Sequence, residues 1–337
     1  MKKRVLIIYT GGTIGMKKTP KGYAPVEGYL SEIFPTIYDM NSPAAPDWDL
    51  HEMSPLLDSS DVTVNEWNKI AEVIYDNYAK YDGFVVLHGT DTMAYTASAL
   101  SFILEGLDKP VVLTGSQIPL SEMRSDGWDN LVTSLIVAAD GVVKEVCLYF
   151  SGKLLRGNRA VKMSADRLIA FDSPNFPHLA DMGITIKYNQ AVTTYPKSAG
   201  LKMQPLSNVP IAVLKVFPGI QFGLFRSIMT EQLSGIVLET FGSGNVPSYS
   251  GSLIPIIHDA FAGGSVVTVC SQCPSGTVTL GAYETSSALK SAGAVSGGDM
   301  TTEAAVAKLY YLFSLGIDKE EIKKKMEENL RGEISAI

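Results

Sequence analysis

VLIIYTGGTIGM, residues 5–16, decides the fold. An unbroken apolar run this short and this rich in β-branched residues reads as a strand buried on both faces, and the glycines behind it force a sharp exit. The strand therefore delivers Thr13 just beyond its carboxyl end. The same kind of run recurs as FVVLHG (84–89), PVVLTG (110–115), EVCLYF (145–150), IAVLKVF (211–217), GIVLET (235–240) and SVVTVC (265–270). Helical patterns lie between the runs. Trp67, Ile70, Ala71, Ile74, Tyr75 and Tyr78 follow the i, i+3, i+4, i+7 template, with Asn65 as the expected cap, and 94–105, 126–139, 301–315 and 319–330 read similarly. Strands alternating with helices imply an α/β protein with a doubly wound, mostly parallel sheet.

A chain of 337 residues is long enough for two domains at roughly 150 residues each. Residues 189–210, NQAVTTYPKSAGLKMQPLSNVP, break the alternation with Pro, Ser, Asn and Gly and read as a linker. The expected division is a larger N-terminal α/β domain over 1–188 and a smaller C-terminal α/β domain of about three strands over 211–337.

A hydrophobic fraction of 46% and a charged fraction of 19% are those of an ordinary globular protein. A formal net charge of −7 argues against a nucleic-acid partner, which needs a basic face. The opening MKKRVLIIYT is too short to be a signal peptide, because Thr10-Gly11-Gly12 interrupts it, and no run approaches the length of a membrane span. Cys147, Cys270 and Cys273 cannot make a disulfide framework and suit a reducing compartment, so the expected location is the cytoplasm. Cys270-Ser271-Gln272-Cys273 is a C-x-x-C, but no second pair completes a zinc site and His51, His88, His178 and His258 show no ligand spacing. No metal and no cofactor is expected.

In open α/β sheets ligands bind beyond the carboxyl ends of the strands. Two such ends carry matching chemistry: Gly11-Gly12-Thr13 after the first run, and Thr90-Asp91-Thr92 after FVVLHG. Either threonine alone reads as a cap. Together, on adjacent strands, they bring two hydroxyls and a carboxylate into one crevice, the company a hydroxyl nucleophile needs. GGTIG lacks the spacing of a dinucleotide fingerprint. The segment between Thr13 and Leu30, with glycines at 15, 22 and 28, reads as a flap that closes over substrate, carrying Tyr23, or as a plain surface loop. DSSD at 58–61 offers Ser60 or Asp61 as a cap, or Asp58, alternatively Asp91, as the acceptor of an α-ammonium while Ser59 and local N–H groups hold an α-carboxylate. RGNRAVKMSADR (156–167) clusters Arg156, Arg159, Lys162 and Arg167. One lysine drawn in beside Thr90 and Asp91 is a base for a hydroxyl, and spacing alone does not choose it.

TGGTIGM, HGTDTMAYTASALSF, TGSQIPL, RSDG and RGNRAVK together resemble the L-asparaginase family, nearest to its cytoplasmic type I bacterial branch, over essentially the whole chain. The resemblance implies hydrolysis of L-asparagine to L-aspartate and ammonia without metal or cofactor, in homotetramers built as dimers of dimers. Thr13 matches the nucleophile and Tyr23 its hydrogen-bonded activator. Thr90, Asp91 and Lys162 match a second triad. Gly12, Asp58, Ser59 and Ser60, with Thr90 and Asp91, match the substrate grip. Glu284 is the candidate for a glutamate lent by a neighbouring subunit. Some type I relatives have an allosteric asparagine site. Cys273 and Ser271 fall in that region, but Glu239 stands where an arginine is expected, and the reversed charge implies hyperbolic kinetics.

Three rivals remain open at this stage. One is a glutaminase or dual amidase, which differs by a methylene worth about 1–3 kcal/mol. Another is the asparaginase-like subunit of a tRNA-dependent amidotransferase, for whose extra N-terminal domain there is no room before Val5. The last is a sensor that binds asparagine without turnover.

Overall fold

The opening run forms strand β1, Arg4–Gly11, in a computed structural model that describes residues 2–193, 200–247, 251–282 and 284–335. Val5, Ile7, Ile8 and Tyr9 have no exposed surface, as a strand covered on both faces requires. The chain divides into two compact units, Met1–Gln204 and Pro205–Ile337.

After β1 come a hairpin of β2 (Met16–Thr19) and β3 (Gly22–Pro25), then β4 (Asp47–Leu57) and β5 (Gly83–Leu87). The 8-stranded sheet of the first unit runs in the order Ile186–Tyr188, Ala180–Met182, Lys153–Arg156, Val146–Phe150, Val111–Thr114, β5, β1, β4. From β4 to Val146–Phe150 the pairing is parallel, and the remaining strands join antiparallel. Each expected strand of this unit is present. The sheet is also wider than the apolar runs suggest. β4, DWDLHEMSPLL, alternates exposed and half-buried positions and so offers no apolar run. The flap is an antiparallel hairpin with Lys18 opposite Tyr23 and Thr19 opposite Gly22, not a featureless loop.

Helix Val64–Asn77 lies where its periodicity puts it, but its cap is Thr63 and not Asn65. Thr63 has extended backbone and closes a capping box. Its Oγ1 accepts from the Asn65 amide at 3.3 Å, while Glu66 Oε2 accepts from the Thr63 amide at 3.2 Å. Asn65 is already inside the helix, and its backbone N–H is the group being capped. Of the expected linker, 194–199 lie outside the described residues. Lys202–Met203 pairs with Leu104–Glu105 inside the first unit.

The second unit holds a 4-stranded parallel sheet, Ile211–Lys215, Gly235–Thr240, Val266–Ser271 and Val295–Ser296. The last strand is too short to show a period, which is why only three were expected. Helices Leu253–Ala262 and Glu284–Ser291 were also missed, whereas Thr302–Ser314 and Lys319–Glu327 fall where their patterns predict. Inside this unit Lys308 and Glu333 form an ion pair at 2.6 Å with neither side chain exposed. Among the described residues no helix is long and apolar enough to cross a membrane.

Candidate functional site

The chain leaves β1 for β4 on one side and later returns to β5 on the other, so the strand order reverses at β1. A crevice outside the carboxyl ends of the strands at such a reversal is the favoured ligand position of an open α/β sheet. Three segments arrive there: Gly11-Gly12-Thr13 after β1, Leu57 to Ser60 at the end of β4, and His88 to Asp91 after β5.

Glycine is what lets them meet. Gly12 has φ of 83°, and a Cβ on it would lie 2.3 Å from the Gly89 nitrogen. A Cβ on Gly89 would in turn lie 2.5 Å from Ser59 Oγ. Gly12 N donates to Leu57 O at 3.1 Å, and Thr92 Oγ1 donates to Ser59 O at 2.7 Å, which ties the three segments together. Thr13 opens a short 3-10 turn, Thr13–Gly15, and is half-buried.

Lys162 is delivered from outside these segments. It ends the short strand Val161–Lys162, paired antiparallel with Phe171–Asp172. Its Nζ donates to Thr90 Oγ1 at 2.9 Å and reaches Asp91 Oδ1 at 2.5 Å. Thr90 is nearly buried and passes its own hydrogen to Gln117 Oε1 at 3.1 Å, and Gln117 Nε2 donates to Arg167 O at 3.2 Å. Of the basic cluster, Lys162 turns to the threonine. Arg156 pairs with Glu145 at 2.7 Å and lies over the Phe176 ring, as does the buried Arg159.

His88 supports this loop from beneath. Its Nδ1 lies 2.8 Å from Gly89 O, an oxygen that only accepts, so the hydrogen sits on Nδ1. Nε2 then accepts from Thr96 Oγ1 at 2.9 Å, and Thr96 Oγ1 accepts from Trp67 Nε1 at 3.0 Å. A neutral ring satisfies every partner. Burial pushes His88 down to about 4, against the opposing bond to Gly89, so the ring stays uncharged.

At the front, Tyr23 on β3 is 48% exposed, and its hydroxyl donates to Glu122 Oε1 at 2.9 Å rather than engaging Thr13. That bond raises the phenol above its ordinary pKa. Asp58 Oδ1 accepts from both Ser60 N and Ser60 Oγ at 2.9 Å, which fixes the first turn of the 58–61 segment. Ser59 is buried beneath Gly89. Thus Gly12, Thr90, Asp91, Lys162, Ser59 and Ser60 are brought together with Asp58, while Tyr23 is held at the flap and turned toward Glu122.

The second unit holds the other expected positions. Glu239, at the end of Gly235–Thr240, accepts from Thr302 Oγ1 at 2.6 Å and lies 3.8 Å from Lys215 Nζ. Ser271 Oγ donates to Gly242 O at 2.7 Å and accepts from the Cys273 amide at 3.0 Å. Glu284 opens helix Glu284–Ser291 and is exposed. Cys273 is exposed and Cys147 and Cys270 are buried, and burial pushes the Cys270 thiol up to about 12. Sequence reading missed Gln117 and Glu122. Gln117 follows a strand end, so the rule that found Thr13 points to it as well. Glu122 has no local signal.

The N-terminal part of the chain, residues 4–194, matches the model "Asparaginase, N-terminal", and residues 210–326 match "Glutaminase/Asparaginase C-terminal domain". The chain is 46% identical to L-asparaginase 1 of Escherichia coli (strain K12), over 99% of this chain and 98% of that one. It is 41% identical to the 60 kDa lysophospholipase of Mus musculus, over 99% of this chain and 63% of that one. Among solved structures, L-asparaginase I from Vibrio cholerae superposes with a TM-score of 0.92 at 45% identity, over the whole of both chains.

Proposed function

The chain belongs to the asparaginase family, and on that premise we propose that it hydrolyses L-asparagine to L-aspartate and ammonia through a threonine nucleophile and an acyl-enzyme intermediate. The observation that carries the reading is Lys162 joined to both Thr90 and Asp91 at the place where the backbones of Gly12 and Gly89 touch. In this proposal residues 1–188 form the catalytic domain, 189–210 the linker and 211–337 the smaller domain.

The α-ammonium of the substrate meets the carboxylates of Asp91 and Asp58, and Ser59, Ser60 and neighbouring N–H groups hold the α-carboxylate. The flap closes and excludes water. Thr13 Oγ then forms a bond to the side-chain amide carbon as its proton leaves through Tyr23. Backbone N–H groups of the Gly12 and Gly89 turns stabilise the oxyanion. The C–N bond breaks, the nitrogen takes a proton and departs as ammonia, and an ester of Thr13 remains. Water attacks that ester with help from Thr90 and Lys162 and restores the Thr13 hydroxyl. Lys162 donates to Thr90 and pairs with Asp91 at 2.5 Å, so the three side chains are positioned as one network for this second step.

The proposal includes a cytoplasmic homotetramer, a dimer of dimers to which Glu284 contributes across subunits, and no metal or nucleic-acid partner. Ammonia release from L-asparagine and L-glutamine, beside a Thr13→Ala variant of unchanged melting temperature, tests it. Loss of asparagine turnover in the variant supports the nucleophile. Comparable turnover of glutamine makes the protein a glutaminase-asparaginase. Calorimetric binding of asparagine with no ammonia from the wild type makes it a sensor.

A further inference from the structure

We infer that Glu122 is a positioning residue for the attack step, holding the Tyr23 hydroxyl so that its oxygen faces the proton of Thr13. The inference rests on the proposed amidase reading and supplies, from within the chain, the third group that orients the base of a nucleophile. Tyr23 spends its only hydrogen on Glu122 Oε1 at 2.9 Å. A phenol oxygen that donates there keeps its lone pairs for another donor, and a closing flap offers Thr13 Oγ–H as that donor. As the proton moves from Thr13 to the phenol oxygen, the hydrogen already on that oxygen moves toward the carboxylate. No charge then accumulates on Tyr23.

The loop that presents Glu122 is built for a fixed position. Asp126 accepts from the amides of Gln117 at 3.0 and 3.1 Å and of Ile118 at 2.9 Å, and Ser125 Oγ donates to Ile118 O at 2.8 Å. Arg124 holds a left-handed φ of 64°, a conformation that a non-glycine residue adopts only at a cost. The loop also grips the base of the flap: Leu120 N donates to Ile14 O at 3.1 Å and Ser121 Oγ to Met16 O at 3.0 Å. Its other end carries Gln117, the acceptor of Thr90. One loop thus reaches both threonine segments, touching the Thr90 network through Gln117 and the flap tyrosine through Glu122.

A single exposed Tyr–Glu bond adds little to stability, so a purely structural Glu122 leaves kcat unchanged when it is removed. The test measures kcat and KM for asparagine in wild type, Glu122→Ala, Glu122→Gln, Tyr23→Phe and the double variant Tyr23→Phe/Glu122→Ala, each with its melting temperature. Glu122→Ala is expected to lower kcat by about 10-fold with KM within about 2-fold, a part of the ~10²–10⁴-fold typical of positioned proton transfer. Glu122→Gln, whose amide oxygen still accepts from the phenol, recovers most of that loss, and it stands in if Ala disturbs the loop. In the Tyr23→Phe background, Glu122→Ala costs less than about 2-fold more. An active wild type whose Glu122→Ala variant keeps full kcat, or losses that multiply in the double variant, overturns the inference alone. A wild type that releases no ammonia overturns the amidase reading and this inference together.

Discussion

Two lysine–carboxylate pairs, one in each unit of the molecule, match in distance and differ in everything else. Lys308 and Glu333 meet at 2.6 Å with no exposure on either side, and Lys162 and Asp91 meet at 2.5 Å with side-chain exposures of 18% and 66%. Lys308 also donates to the carbonyls of Met326 at 3.0 Å and Glu328 at 2.5 Å, and Glu333 accepts from the amides of Leu330 and Arg331. All of those partners are fixed. Lys162 instead spends a donor on a hydroxyl whose proton can leave, and its carboxylate stands half in water. Sealing a pair makes it a structural bolt, whereas the pair opened to a crevice is the one to which the proposed mechanism gives chemistry.

The largest expected effect falls on the sealed pair. Lys308→Met strands a buried carboxylate and should cost about 3–5 kcal/mol in denaturant unfolding. An unchanged midpoint breaks the contrast at once. Lys162→Met should do the reverse, lowering kcat by about 10²–10³-fold while unfolding shifts by no more than ~1 kcal/mol. A variant that loses stability and keeps its turnover reassigns Lys162 to scaffolding.

His88 sharpens the comparison, since the first unit buries polarity there without charge. Its folded value near 4 lies below the ordinary 6.5, so native protein refuses a proton that the unfolded chain accepts. The associated stability is complete above about pH 6.5 and is lost as pH falls through 4, a total of roughly 3 kcal/mol. Urea titrations at pH 7 and 4.5 should show this slope in wild type and a smaller one in His88→Gln. Gly12→Ala comes next, because left-handed backbone and collision with Gly89 act together. It should destabilise by about 2 kcal/mol and abolish most turnover, while Gly242→Ala, with φ of 49° but nothing within 4 Å, should show only the strain, about 1 kcal/mol. The smallest effect is a null: with Glu239 closed on Thr302, asparagine saturation should be hyperbolic, and a Hill coefficient clearly above one contradicts the charge argument.

Much of this arrangement was legible in the residues. Strands covered on both faces must be apolar throughout, so β1, β5 and the strands at 111–114 and 146–150 announce themselves, and their ends point to Thr13, Thr90 and Asp91. β4 was not legible because one of its neighbours is water, which permits Asp49, His51 and Glu52 in a strand. Nor was the choice of Lys162 among its basic neighbours. That choice depends on a hairpin whose pairing partner, Phe171–Asp172, is set by tertiary contacts, and the family resemblance supplied it instead. Thr63 outcompeted Asn65 as a cap because its partner Glu66 stands three residues on, a signature that apolar periodicity does not score. Glu122 had no pattern to betray it, since a loop residue acquires meaning only from what folds against it.

The hairpin that carries Lys162 also sets a schedule. Lys162 lies 72 residues beyond the Thr90 it touches. At the ~5–20 residues per second of protein synthesis, the loop after β5 leaves the ribosome roughly 4–14 seconds before its lysine does. A nascent chain therefore displays its threonines well before the cation that completes their network, and under the proposed mechanism no turnover precedes the emergence of Lys162.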